Sequence, residues 1–141
     1  MATNPVLQQA MTAIRQQQFA KAAELLAECL RSQPTNVQAR WLLIQSLESQ
    51  GQLDEALDQL RQLLIYLKND LPAIDRVAAH MRQRQYPRDI VIKAYKRFLE
   101  AHPQSAPAAF NLAWNLTRGG EFEAAIGMYE RSLALGIDVP E

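Results

Sequence analysis

The sequence predicts an all-α protein built from repeated helix-turn-helix units. Of its 141 residues, 48% are apolar and only five are glycine, and the abundant Ala, Leu and Gln favour helices over strands. Apolar residues recur every three and four positions along most of the chain, which is the period of an α-helix. The segment 51–57 (GQLDEAL) returns as 120–126 (GEFEAAI), and a third, partial copy at 19–23 matches 53–57. The chain therefore contains an internal repeat.

Each copy of this segment describes the same turn between two helices. Gly51 and Gly120 are suited to end a helix, because glycine adopts the left-handed backbone conformation without a Cβ clash. Acidic residues follow, and they suit the partly positive first turn of the next helix. An alanine, Ala56 or Ala125, then stands where the two helices must cross closely.

Taken in order, these signals predict eight helices. They span residues 6–14, 19–31, 37–50, 53–67, 72–84, 87–101, 106–118 and 122–135. Asn4-Pro5 caps the first helix, and Pro87 is placed in the first turn of the sixth. The first turn, 16–18, has no glycine, and a left-handed residue of another type costs about 1–2 kcal/mol, so we expect this turn to be looser. Leu53 is predicted to be buried.

The copies are not evenly spaced along the chain. The step from 51–57 to 120–126 is one residue longer than twice the step from 19–23 to 53–57. Two repeats therefore separate the later copies, and one of these repeats contains an extra residue. We place this extra residue at 68–72, where a proline interrupts the helical pattern.

Composition excludes several classes of protein. The 15 basic and 15 acidic residues give a formal net charge of zero, which argues against a nucleic-acid-binding protein. No apolar segment approaches the roughly 20 residues that span a bilayer, and the N-terminus has no secretory signal pattern. We therefore predict no membrane partner and a cytoplasmic location. The single Cys29 excludes an internal disulfide.

At the level of motifs, the sequence resembles the tetratricopeptide repeat, two antiparallel helices with a period of about 34 residues. The last repeat matches best, with these residues in the order of the motif: Leu112-Ala113, Leu116, Gly120, Phe122, Ala125 and Tyr129. The resemblance implies one domain, a right-handed superhelix over 1–141, whose repeats span 3–36, 37–70, 72–105 and 106–139. The third repeat is degenerate, because Val91 replaces the crossing alanine and the turn glycine is missing.

A narrower resemblance concerns the segments 102–106 and 133–137. They are similar to bacterial tetratricopeptide arrays that precede a sulfotransferase domain, although these 141 residues contain no sulfotransferase phosphate-binding loop. This resemblance implies the alternative of a substrate-positioning arm in a larger transferase.

In the tetratricopeptide family, the first helix of each pair lines a concave groove that receives peptides or partner helices. Transferring this register gives the predicted groove residues: Trp41, Gln45, Glu48, Arg76, His80, Arg84, Phe110, Asn111, Trp114 and Arg118. Aromatic side chains supply contact area and arginine supplies carboxylate recognition. The alternative is that the tryptophans pack between helices and the arginines are ordinary solvated charges.

Nothing in the sequence indicates catalysis. His80 and His102 have no neighbouring ligand residues at metal-binding spacing, and Cys29 falls at a small, packed position that predicts a buried thiol. No spacing suggests an activated nucleophile. The sequence therefore predicts no enzyme, no metal and no cofactor, but a protein-interaction scaffold whose partner is a protein or peptide.

The last predicted helix carries an apolar face with nothing after it to cover it. A solenoid normally ends in a polar capping helix, yet Ile126, Tyr129 and Leu133 lie on the final helix. Either a second copy covers this face, giving a homodimer, or the chain is the N-terminal piece of a longer protein. The abrupt end at 136–141 favours the second expectation.

Overall fold

The structure, a computed structural model, describes residues 4–136. Its helices are Pro5–Arg15 (α1), Phe19–Ser32 (α2), Val37–Ser49 (α3), Leu53–Tyr66 (α4), Leu71–Gln83 (α5), Asp89–Ala101 (α6), Ala106–Arg118 (α7) and Phe122–Ala134 (α8). Residues 4–136 contain no strand, so the predicted all-α class of helix-turn-helix repeats is confirmed. The helices form two compact units, unit 1 with α1–α4 and unit 2 with α5–α8. The single domain over 1–141 stays a prediction, and the expectation drawn from 136–141 falls almost wholly outside the described residues.

The first helix of every pair begins on a side-chain cap. The capping oxygen accepts a hydrogen bond from a backbone N–H of the first turn, which contributes about 1 kcal/mol per helix. The four bonds join Asn4 to Val6 N (3.0 Å), Asn36 to Ala39 N (3.0 Å), Asp70 to Ala73 N (3.1 Å) and Ser105 to Ala108 N (3.3 Å). The cap predicted at Asn4-Pro5 is confirmed.

All four helix pairs close through the same turn, with or without glycine. The left-handed residues are Gln17 (φ 60°), Gly51 (φ 75°), Gln85 (φ 61°) and Gly120 (φ 80°). After each of them, the next backbone N–H reaches a carbonyl five residues back, as in the bond from Gln18 N to Ala13 O at 2.8 Å. The expectation of a looser first turn is therefore wrong. The hydrogen bonds to the last carbonyls of α1 hold Gln17 in the unfavourable conformation.

The extra residue of the repeat lies in the turn before α6. The left-handed residues Gln17, Gly51 and Gln85 are evenly spaced, whereas Gly120 comes one residue later than that spacing requires. Helix α6 begins at Asp89, four residues after Gln85, whereas α2, α4 and α8 begin two residues after their turn residues. The placement at 68–72 is therefore wrong, and so is the placement of Pro87 inside α6. Proline forces the residue before it into an extended conformation, so the helix starts only after Pro87.

Small residues fill the interior of three pairs, and the fourth pair differs. Ala22, Ala56 and Ala125 are buried, as predicted for crossing positions, and Val91 is buried at the matching position of α6. The α5–α6 backbones approach each other much less closely than those of the other three pairs. A larger side chain at the crossing and a longer turn both favour this wider spacing.

Two predictions about individual residues have opposite outcomes. Leu53 is 54% exposed, because it opens α4 in the first turn and points away from the core, so its predicted burial is wrong. Cys29 is buried, as predicted, and it accepts a contact from Asn4 Nδ2 at 3.2 Å. No helix among residues 4–136 has the length and apolarity needed to cross a membrane.

Candidate functional site

The most developed polar site of unit 2 is built around Trp114. This half-buried indole lies on α7, and the guanidinium carbon of Arg118, one helical turn later, lies 4.9 Å from the ring centre. The guanidinium carbon of Arg82, from α5, lies 5.0 Å from the same centre. A cation over an aromatic face is attracted by the ring quadrupole. Two helices therefore place their arginines on one aromatic ring.

A third arginine joins this cluster from the turn before α6. Arg88 Nη1 donates a hydrogen bond to the backbone carbonyl of Arg118 at 2.8 Å, at the end of α7. Arg82, Arg88, Arg118 and Trp114 line a cavity of about 350 Å³, which we call the arginine cavity, and no carboxylate lines it. The ion pair found among residues 4–136 joins side chains of unit 1, so none of these arginines is neutralised by an acidic side chain of the described part of the chain.

A second cavity, of about 280 Å³, adjoins the first and shares Ala78, Arg82, Trp114 and Asn115 with it. Its centre is Asp75 on α5. One oxygen of this carboxylate, Oδ1, accepts hydrogen bonds from the Tyr95 hydroxyl of α6 at 2.5 Å and from Asn111 Nδ2 of α7 at 2.9 Å. Burial raises the pKa of the Tyr95 hydroxyl, and the bond to Asp75 raises it further, so this hydroxyl stays protonated and acts as a donor.

The structure brings together four of the predicted residues of unit 2. Asn111 and Trp114 line the cavities with Phe110, and Arg118 lies over the indole. Phe110 also packs edge-on against Tyr129, with ring centres 5.5 Å apart. The other three predicted residues lie elsewhere: Arg76 and Arg84 are exposed, and His80 is beside Tyr86, with ring centres 6.5 Å apart.

The residues that the sequence analysis missed, Asp75 and Arg82, follow from the misplaced extra residue. Putting that residue at 68–72 moves the register of α5 by one position, so Arg76 was chosen as the equivalent of Phe110. With the extra residue after Gln85, the side chain equivalent to Phe110 is Asp75, since both lie five residues after a capping residue. The shared caps, Asp70 and Ser105, were a signal that could have corrected the register.

The predicted residues of unit 1 occupy α3. Trp41 and Glu48 are half-buried and Gln45 is exposed. Their neighbour Arg40 is buried, and its guanidinium donates to Gln59 Oε1 and to the carbonyl of Pro34. Burial lowers the pKa of Arg40, and its bonds within unit 1 indicate a structural role.

An apolar stripe on α8 is exposed, as the sequence predicted. Phe122, Ile126 and Leu133 are 63%, 56% and 55% exposed, and Tyr129 is half-buried. The residues that match Ile126, Tyr129 and Leu133 one repeat earlier are Ile92, Tyr95 and Leu99 of α6, and all three are buried where α7 packs on α6. The stripe is therefore the kind of surface that a following helix buries earlier in unit 2.

Neither histidine nor any acidic cluster forms a metal site in the described part of the chain. His102 is exposed and stacks on Phe98, with ring centres 4.3 Å apart. Within residues 4–136, no group of three or more His, Cys, Asp or Glu side chains is arranged to hold a metal ion.

Comparison with known proteins identifies the family. The model of the tetratricopeptide repeat family matches residues 7–72 and again residues 75–140. The chain belongs to the tetratricopeptide repeat family. Tetratricopeptide arrays are helical-repeat scaffolds for protein interaction, and their surfaces vary with the partner. The weaker resemblance to arrays preceding a sulfotransferase domain is not shown by this match and stays a prediction.

Solved structures of MamA share this tetratricopeptide fold. A crystal structure of MamA protein has a TM-score of 0.53 at 18% identity, covering 92% of this chain and 70% of that one. MamA AMB-1 gives 0.54 at 18%, covering 95% and 74%, and a MamA mutant gives 0.58 at 17%, covering 94% and 96%. At these identities the likeness shows the fold alone. A search of functionally curated proteins found no match.

Proposed function

We propose that this tetratricopeptide protein binds an extended segment or a helix of a partner protein, and that its contact surface in unit 2 is the face of α5 and α7 around Trp114. The observation that supports this proposal is the half-buried indole with two arginines over its ring, beside two cavities. We propose no catalytic activity for the chain, and α3 with Trp41, Gln45 and Glu48 as a further contact surface in unit 1.

The chemistry of this surface is that of a binding hot spot. Tryptophan and arginine are enriched among the residues whose truncation weakens a complex by about 2 kcal/mol or more. Stacking on the indole restricts Arg82 and Arg118 before any partner arrives, so less side-chain entropy is lost on binding. The remaining N–H groups of each guanidinium stay available to a ligand.

The double variant Trp114→Ala with Arg118→Glu is expected to weaken peptide binding at least thirtyfold. It removes the aromatic contact area and reverses one charge, while the helix C-terminus at Arg118 stays intact. Peptides selected from a random displayed library against the unmodified protein supply the ligands, and their dissociation constants are measured by titration calorimetry. Circular dichroism checks that helicity is unchanged.

The matched control for this experiment is Arg97→Glu, a charge reversal at an exposed position of α6. It changes the net charge by the same amount and is expected to alter binding less than threefold. Undiminished binding by the Trp114 and Arg118 double variant would contradict the assignment of this face.

A second candidate function is self-association through α8, with a second copy as the partner. The observation that favours it is the exposed stripe of Phe122, Ile126 and Leu133. Two identical stripes can pack against each other about a two-fold axis, because an isologous interface uses the same patch on both chains. Exposed apolar side chains gathered on one helix commonly mark such interaction surfaces.

Sedimentation equilibrium across a wide concentration range tests this candidate. We expect a concentration-dependent dimer whose dissociation constant rises at least tenfold in the variant Ile126→Glu with Leu133→Glu. Tyr129 is left unchanged because it packs on Phe110. The control Glu130→Lys alters an exposed polar position of the same helix and should leave the dimer intact. A monomer at every concentration would remove this candidate.

A further inference from the structure

We infer that the arginine cavity of unit 2 is a carboxylate site, and that the partner segment bound around Trp114 is acidic. This inference rests on the proposed function and adds the chemical class of the partner. It concerns three residues in particular, Arg82, Arg88 and Arg118, which reach one cavity of about 350 Å³ from α5, from the turn before α6 and from α7.

The first argument is uncompensated charge. The guanidinium carbons of Arg82 and Arg118 lie 5.0 Å and 4.9 Å from the same ring centre, so the two positive charges are close neighbours. No carboxylate lines the cavity, although the whole chain carries equal numbers of acidic and basic residues. Like charges this close repel each other, and a bound anion would attract both of them.

The second argument is geometry. A guanidinium that lies over an aromatic ring keeps its N–H groups, and those groups match the two oxygens of a carboxylate. Arg88 is fixed at the end of α7 by its bond to the Arg118 carbonyl. That bond offsets part of the negative charge at the helix C-terminus, which would otherwise repel an anion there.

The third argument distinguishes an acidic peptide from a nucleic acid. Asp75 lies in the adjoining cavity, which shares Arg82 and Trp114 with the arginine cavity. A nucleic-acid backbone would bring regularly spaced phosphates towards this carboxylate, and like charges repel. A peptide can instead donate a backbone N–H to Asp75 and place an acidic side chain in the arginine cavity.

The test is a titration of the full chain with acetylated, amidated hexaglutamate, followed by nuclear magnetic resonance. We expect saturable shifts of the Trp114 indole N–H and of the Arg82 and Arg118 Nε–H signals. The variant Arg82→Gln with Arg118→Gln should weaken binding at least tenfold. The variant with lysine at both positions keeps the charge but not the planar fork, and it should weaken binding at least threefold.

The matched control is Arg76→Gln with Arg84→Gln, which removes the same charge from exposed arginines at α5 outside the cavity. An equal loss of affinity in this control would mean general electrostatic attraction and would overturn the inference. Inorganic phosphate that shifts the same signals at equal or lower concentration would overturn the assignment to a carboxylate.

Failure of this inference can be separated from failure of the proposed function. If hexaglutamate gives no saturable shift while selected neutral peptides still bind in a manner that depends on Trp114, only the acidic class is wrong. If neither ligand depends on Trp114, the face of α5 and α7 is not the binding surface.

Discussion

Replacement of Asp75 by alanine is expected to lower the free energy of unfolding of unit 2 by about 2–3 kcal/mol. The carboxylate accepts from the Tyr95 hydroxyl and from the Asn111 amide, and Tyr95 is buried. Without the acceptor, the hydroxyl is left unsatisfied in a place that water reaches poorly, and burying such a donor is costly. The loss falls on three helices at once, because Asp75, Tyr95 and Asn111 belong to α5, α6 and α7.

Urea denaturation followed by Trp114 fluorescence measures this effect in a Trp41→Phe background, where Trp114 is the one remaining tryptophan. The isosteric variant Asp75→Asn is the control, since its amide oxygen can still accept both hydrogen bonds, and most of the stability should remain. A loss below about 0.5 kcal/mol for Asp75→Ala, the range typical of ordinary surface substitutions, would show that the three-helix contact contributes little.

Replacement of Ala125 by leucine is expected to destabilise unit 2 by about 2 kcal/mol through overpacking. Ala125 is buried in α8, which packs closely against α7. Three added carbons cannot be accommodated without moving one helix or forcing a strained rotamer, because protein interiors are close-packed.

The adjacent residue supplies the control for this second experiment. Ala124 is exposed on the same helix, so Ala124→Leu makes the same chemical change with nearly the same helix propensity. Its effect should stay within about 0.5 kcal/mol, as for most surface substitutions. Equal destabilisation by the two substitutions would mean that helix propensity rather than close crossing explains the alanine at 125. The same fluorescence measurement serves both variants.

The helices were predictable because their signals are local. Caps, prolines and the apolar period fix the helix bounds to within a residue or two, apart from the bounds that Pro87 affects. Burial was less predictable at helix ends, where Leu53 falls on the apolar stripe but points outwards. The turn at Gln17 was misjudged because residue type predicts the cost of a conformation, whereas the hydrogen bonds of the whole turn decide whether it forms.

The site was predicted only in part, and a single misplaced residue explains the difference. Phe110, Asn111, Trp114 and Arg118 were identified because α7 follows the repeat motif. On α5 the register was wrong by one position, so Arg76 and His80 were chosen in place of Asp75 and Ala79. The partnership of Asp75 with Tyr95 also depends on how helices are arranged in space, and no local pattern in a sequence records that arrangement.

The wide spacing of α5 and α6 has a consequence for protein engineering. Val91 and the extra residue before α6 are the features that depart from the regular repeat, and the arginine cavity opens beside them, lined by Val91 and Arg88. A redesign that averages the repeats would place alanine at 91 and shorten the turn, drawing the two helices together. Such averaging commonly raises the melting temperature. Here it would fill the space that the three arginines line, so the thermostable product would lose its ligand before it lost its fold.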